Sequence, residues 1–290
     1  MQAQHLPSQF ETTLEKGILP IAKFISHQNP AKNAPIWGVC GAQGTGKSTL
    51  VQFLSLVLEQ QYGLRCISLS LDDFYYAREI RQQLSEDLHP LFITRGVPGT
   101  HDVELAMRTL TRLQEAGADD LVPLPRFDKA IDDLVPENLW HSVSGPFDLI
   151  LFEGWCVGTQ PQPSDQLMLP INPLEANEDP KGVWRDHVNQ QLRTRYSQWY
   201  ALLDHLILLK VPSFKQVKEW RSLQEEKLRQ SYLRRGDAVP GKVMTPDQVE
   251  RFIQHYERLT RWNLETLPAI ADVVLDLQED HGVSQIHFRS

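Results

Sequence analysis

Residues Gly41-Ala42-Gln43-Gly44-Thr45-Gly46-Lys47-Ser48 match the pattern G-x-x-x-x-G-K-[ST] at every fixed position. An apolar run (residues 36–40) precedes the motif and a helix-forming segment (residues 49–62) follows it. The glycines allow positive φ, so backbone N–H groups can turn inward and wrap an anion at the start of a helix. In such a loop Lys47 reaches the β- and γ-phosphates of a nucleotide and the Ser48 hydroxyl faces Mg²⁺, while Thr49 stands beside the α-phosphate. The alternative is a glycine-rich turn that binds nothing. A strand–loop–helix unit of this kind commits the chain to an α/β architecture.

The rest of the chain supports that architecture. Five short apolar runs read as buried strands: residues 36–40, 65–70, 147–152, 205–210 and 273–277. Continuous apolar runs separated by helical patterns are what a parallel sheet covered on both faces requires. Residues 9–27 predict an amphipathic helix through Phe10, Leu14, Ile18, Ile21 and Ile25, followed by a loop over 31–35. Helices over 49–62 and 103–116 stop at Gly63 and Gly117. Trp184, Val188, Leu192, Tyr196, Trp199 and Leu203 form one apolar stripe. Ser213 with Gln216, and Thr245-Pro246-Asp247-Gln248, are helix-start patterns. The prediction is an open five-stranded parallel sheet with helices on both faces and a helical lid. All 290 residues belong to one domain in this reading, with residues 1–34 as a helical extension. Residues 95–146 and 154–183 are irregular segments on the substrate side, and residues 213–243 form the lid.

Composition narrows the function. A net charge of -8 argues against a polyanionic nucleic-acid partner, which needs a basic surface. None of the three cysteines, Cys40, Cys66 and Cys156, forms a C-x-x-C pair, so neither a zinc site nor a disulfide framework is indicated. No apolar run reaches membrane-spanning length, and the first residues lack a basic-then-apolar signal pattern. The expectation is a cytoplasmic protein with no membrane partner. There is no N-K-x-D guanine-reading motif and no LSGGQ-like signature. A small-molecule kinase or a non-catalytic nucleotide switch remains.

Acidic residues favour the kinase. Ser70-Leu71-Asp72-Asp73-Phe74-Tyr75 closes the second predicted strand, and carboxyl ends of parallel strands face the ligand crevice. A carboxylate there can orient and deprotonate an attacking hydroxyl, and a second can hold Mg²⁺. Alternatively, these acids cap the following turn. Glu153 ends the run Leu149-Ile150-Leu151-Phe152, where an acid orients the metal shell or a substrate hydroxyl; a solvated strand end is the plain alternative.

At this point the phosphate loop, Ser-Leu-Asp72-Asp73-Phe-Tyr and Phe-Glu153-Gly154-Trp155 resemble the P-loop kinases of the phosphoribulokinase, uridine kinase and pantothenate kinase superfamily. Within it the chain resembles D-glycerate 3-kinase of the plant and cyanobacterial type and related bacterial and fungal kinase-like proteins. The segments that carry this are Arg95-Gly96-Val97-Pro98-Gly99-Thr100-His101-Asp102, Pro125-Arg126-Phe127-Asp128-Lys129, Trp220-Arg221-Ser222-Leu223-Gln224-Glu225-Glu226 and Met244-Thr245-Pro246-Asp247-Gln248-Val249. The resemblance implies ATP-dependent phosphorylation of a hydroxyl on a small acid, D-glycerate giving 3-phosphoglycerate, with Mg²⁺. It implies Asp72 as general base and Glu153 as the second acid. It also implies a basic lid from Arg221 to Arg235. Catalytic candidates are Asp72, Lys47 and Glu153; metal candidates are Ser48, Asp72 and Glu153. Nucleotide candidates are Gly41 to Thr49 and Arg221. Where the plant-type enzymes carry a G-x-G-D-R stretch, this chain reads Ala130-Ile131-Asp132-Asp133-Leu134. A nucleoside, pantothenate or phosphosugar acceptor is the alternative within the superfamily.

The substrate-side candidates are Asp73, Tyr75, Arg95, His101, Asp102, Arg126, Asp128 and Lys129. Arginine suits bidentate recognition of a carboxylate. Against that, Asp102 can cap the helix that begins at Val103, Arg126 can pair with Asp128, and His101 can be structural. Interleaved acids (Glu219, Glu225 and Glu226) make a solvated helix face the alternative to a lid. Trp184, Trp199, Trp220 and Trp262 are expected to pack rather than to stack on a base.

Overall fold

The computed structural model describes residues 12–28, 33–235 and 243–289. Phe10, the start of the 31–35 loop and residues 236–242 of the expected lid lie outside the described residues. In chain order the strands are β1 (Ile36–Gly41), β2 (Cys66–Ser70), β3 (Leu121–Leu124), β4 (Phe127–Asp128), β5 (Asp133–Leu134), β6 (His141–Ser144), β7 (Leu149–Gly154), β8 (His205–Lys210), β9 (Val273–Leu277) and β10 (Val283–Phe288). The main sheet has the order β10-β9-β8-β1-β7-β2. The five strands expected from sequence all pair in parallel, and β10 adds a sixth, antiparallel to β9. This corrects the five-stranded expectation. As an edge strand, β10 buries only Val283 fully, so its sequence lacks the apolar run that marks the others.

Alternation explains why those runs are continuous. Ile36 and Cys40, Ile150 and Phe152, and Leu206 and Leu208 pack into one core on one face. Trp37 and Val39, Leu149 and Leu151, and Ile207 and Leu209 pack into a second core on the other. The helix Lys47–Tyr62 covers the second face with Leu19–Ser26 and ends at Gly63, whose φ of 67° lets the chain reverse. The helix Val103–Glu115 and the stripe of residues 183–200 cover the first. That stripe is helical with a π-turn at Leu192–Tyr196, and Trp184, Val188, Leu192, Tyr196 and Trp199 are buried.

The segments read as irregular have their own structure. Residues 119–146 hold two short antiparallel ladders, β3 with β6 and β4 with β5. Residues 158–180 carry the helix Pro173–Glu178, capped by Asn172. The segment expected to form a lid holds the helix Phe214–Arg235 up to the end of its described part. The helix Pro246–Thr266 opens on the full capping box formed by Thr245 and Gln248. Among the described residues, no helix is long and apolar enough to cross a membrane.

Candidate active site

Register assembles the site. Glu153 on β7 stands opposite Val39 on β1 and Ser70 on β2, so the phosphate loop, the Asp72 turn and Glu153 emerge side by side at the carboxyl edge of the sheet. Gly44 and Gly46 have φ of 80° and 87°, which the loop needs to turn its amides inward. No side chain caps the helix that starts at Lys47, and its first turn holds no acid, so its N–H groups and dipole are left for an anion. Lys47 Nζ donates to the Ala42 carbonyl (3.0 Å) and the Thr45 hydroxyl donates to the same oxygen (2.9 Å).

Ser48 Oγ donates to Glu153 Oε1 at 2.7 Å, so two of the three expected metal ligands meet. Asp72 does not join them. Its Oδ1 accepts from the Tyr75 hydroxyl (2.9 Å) and its Oδ2 from Lys129 Nζ (2.5 Å). Burial pushes the Asp72 carboxyl up, but the Lys129 ammonium, the Lys129 and Tyr75 hydrogen bonds and Lys47 outweigh it and hold the pKa below the ordinary value. Asp73 behaves oppositely. Burial raises it to about 6, against the Phe127 N–H it accepts from, and neighbouring Asp72 adds to the rise.

A cavity of about 340 Å³ gathers these groups: Lys47, Ser48, Asp72, Tyr75, Arg95, Lys129, Glu153 and Arg221 all line it. The Arg95 guanidinium lies over the Phe127 ring (5.4 Å) and pairs through Nη1 with Asp132. Its Nε and Nη2 have no protein partner among the described residues. Asp132, in the segment that departs from the plant-type pattern, has φ of 60° and also binds buried Arg81.

Five substrate-side candidates fall elsewhere: Asp73, turned to the Phe127 N–H, and His101, Asp102, Arg126 and Asp128. His101 is 1% exposed, stacks on Tyr75 (4.4 Å), and its Nδ1 meets the Tyr196 hydroxyl at 2.6 Å. Burial, only partly offset by Asp72, pushes its pKa down to about 3, so it supports Tyr75 as a neutral ring. Asp102 Oδ1 accepts from Leu105 N–H (2.9 Å) and is the helix cap. Asp128 accepts from Ala130 N–H (2.7 Å) in its own turn, and Arg126 is exposed and does not pair with it. Of these last four only Asp128 adjoins a residue that lines the cavity, Lys129; burial claims His101 and local turns claim Asp102 and Asp128, while Arg126 is exposed. In the helix Phe214–Arg235, Arg221 pairs with Glu225 over the Phe252 ring, and Arg229 pairs with Glu226. The interleaved acids therefore do engage the lid cations.

Sequence reasoning missed Gln224, Phe252 and Tyr256, which also line the cavity. The Tyr256 hydroxyl donates to the Arg95 carbonyl (3.1 Å), and Trp155 Nε1 donates to the Gly96 carbonyl (2.8 Å). A Cβ at Gly96 would lie 2.3 Å from the Tyr256 oxygen, so this close clamp on the Arg95 backbone requires glycine there. The i, i+4 spacing of Phe252 and Tyr256 on a capped helix was visible, but spacing cannot separate a core face from a cavity face.

No protein-family model matches the chain. An uncharacterized kinase of Schizosaccharomyces pombe is 29% identical over 283 residues, covering 91% of this chain and 96% of that protein. The chloroplastic D-glycerate 3-kinase of Arabidopsis thaliana is 29% identical over 239 residues; these cover 80% of this chain but 48%, about half, of that enzyme. The solved structure of D-glycerate 3-kinase from Cryptococcus neoformans shares the fold at a TM-score of 0.73 and 24% identity, covering 98% of this chain and 100% of that one. The sequence relatives and structural neighbours of this chain are thus D-glycerate 3-kinase and related P-loop kinases.

Proposed function

We propose that the protein is an ATP-dependent kinase that transfers the γ-phosphoryl group to a hydroxyl of a small hydroxy acid, D-glycerate giving 3-phosphoglycerate. The observation that carries this reading is the Asp72 carboxylate, held ionised, in one cavity with Lys47, Ser48 and the cations Arg95 and Lys129. A nucleotide-binding switch has no need of an ionised base there. The Arabidopsis relative named D-glycerate 3-kinase supports the acid as acceptor.

Each side chain then has a task. The loop amides and Lys47 bind the triphosphate. Asp72 takes the proton of the attacking hydroxyl on its carboxylate, and Lys129 keeps that carboxylate charged until it does. The free edge of Arg95 orients the acceptor's carboxylate. Among the described residues no cluster of three or more His, Cys, Asp or Glu side chains is placed to hold a metal alone. The Ser48–Glu153 pair instead fits Mg²⁺, which takes few protein ligands and completes its shell with phosphate oxygens and water. Bound there, Mg²⁺ would neutralise phosphate charge as transfer proceeds.

The test is ADP release with ATP and Mg²⁺ across hydroxy acids, nucleosides, pantothenate and phosphosugars. D-Glycerate is expected to stimulate release above all others. A different best acceptor overturns glycerate, and no stimulation by any acceptor overturns the kinase.

A further inference from the structure

One short turn sets how much charge the acceptor side of the cavity presents. β4 and β5 pair Phe127 with Leu134 and Asp128 with Asp133, and the turn between them runs from Lys129 to Asp132. Lys129 reaches Asp72. Asp132 takes φ of 60°, a conformation that aspartate tolerates better than most residues. Its neighbour Asp133 is spent on the Arg78 N–H at the start of the helix Arg78–Asp87 (2.9 Å). Asp132 instead sits between two arginines.

Arg81, 1% exposed, grips it from the protein side. Arg81 Nη2 donates to the Asp132 carbonyl (2.7 Å) and pairs with Oδ2 (3.1 Å). Its Nε and Nη1 donate to the Tyr76 and Ile93 carbonyls (3.1 and 2.8 Å), so every nitrogen of that guanidinium is engaged within the protein. Asp132 Oδ1 pairs with Arg95 Nη1. The Phe127 ring carries both guanidiniums, Arg81 at 5.8 Å and Arg95 at 5.4 Å. Arg95 is therefore backed by a ring on one face and held by a carboxylate at one nitrogen. Its remaining edge, Nε with Nη2, matches the two oxygens of a single carboxylate.

We infer that Asp132 is a specificity-determining residue, which tunes Arg95 for a carboxylate and against a phosphate ester. This rests on the hydroxy-acid reading proposed above and deepens it. A carboxylate brings one negative charge and two coplanar oxygens, and the open edge satisfies both. A phosphate ester brings nearly two charges and a third oxygen, so it needs further cationic donors. Asp132 holds the next nitrogen and sets a like charge beside the ligand instead. Phosphosugars, an acceptor class left open within the superfamily, are rejected by charge rather than by size.

Steady-state kinetics of the full chain with ATP and Mg²⁺ test this with D-glycerate and glycerol 3-phosphate. The two carry the same vicinal diol and differ in the anionic group. In the wild type, glycerol 3-phosphate should compete with D-glycerate at an inhibition constant about tenfold or more above the D-glycerate KM. A constant no higher than that KM overturns the inference without any variant. Asp132→Asn keeps the carbonyl that Arg81 grips and tolerates the same φ, so it removes the charge and leaves the turn. It should lower the inhibition constant of glycerol 3-phosphate about tenfold and keep the D-glycerate KM within about threefold. An equal shift for both ligands would make Asp132 a prop for Arg95 and overturns the inference. A wild type whose ADP release no hydroxy acid stimulates overturns the hydroxy-acid reading itself, a result distinct from unchanged selectivity.

Discussion

The two walls of the central cavity are built by different means. The nucleotide wall is one contiguous segment, Gly41 to Ser48, that works through backbone amides, a helix N-terminus and two positive-φ glycines. The acceptor wall is made of single side chains from five separate places: Asp72 after β2, Arg95 before the helix Val103–Glu115, Lys129 after β4, Glu153 at the end of β7 and Tyr256 on the helix Pro246–Thr266. Backbone recognition of phosphate is generic and survives wide changes elsewhere. Side-chain recognition depends on each neighbour, as the tether of Arg95 to Asp132 illustrates. On the proposed reading, nucleotide binding is a local property, whereas acceptor choice is a property of the whole fold.

Three substitutions bear on this comparison. Asp72→Asn should give the largest effect, lowering kcat by roughly 10³-fold, the range for removal of a general base, with the dissociation constant for ATP nearly unchanged. Single-turnover kinetics with direct nucleotide titration would check it, and a parallel loss of ATP affinity would break the separation of the two walls. Arg95→Ala should come next. Losing charge-assisted hydrogen bonds to the acceptor's carboxylate should raise the acceptor KM by about 30-fold and leave the KM for ATP alone. Steady-state kinetics with each substrate varied would show which wall was damaged.

Lys129→Met should have the smallest effect at neutral pH and the most specific one. In the proposed mechanism Asp72 acts when ionised, so activity should fall as pH drops through its pKa. Lys129 lowers that pKa, so its removal should move the acid limb of the kcat/KM profile to higher pH, with activity best preserved on the alkaline side. An acid limb left in place would show that Tyr75 and Lys47 alone hold the carboxylate charged.

The fold was legible where one residue type had one use. Runs buried on both faces, such as residues 205–210 and 273–277, could only be central strands, and both appear with those limits. The edge strand β10 was not legible, because a strand with one wet face and one buried valine looks like any polar segment. The same limit divides the candidate site. Asp72 and Glu153 were read from strand ends, where topology forces side chains toward the crevice. His101 and Arg95 sit in one motif and looked alike, yet His101 is packed against Tyr75 and Tyr196 while Arg95 reaches the cavity.

The sequence alone determined the phosphate loop, the parallel sheet that must carry it and the acids at the strand ends, because these follow from local backbone geometry and from burial period. Only the tertiary structure decided which charged groups share the cavity and which are spent on caps and pairs. A carboxylate or a cation is available for chemistry only when no nearer partner claims it, and those partners lie up to 168 residues away, as the Ile36 N–H on the Asp204 carboxylate does.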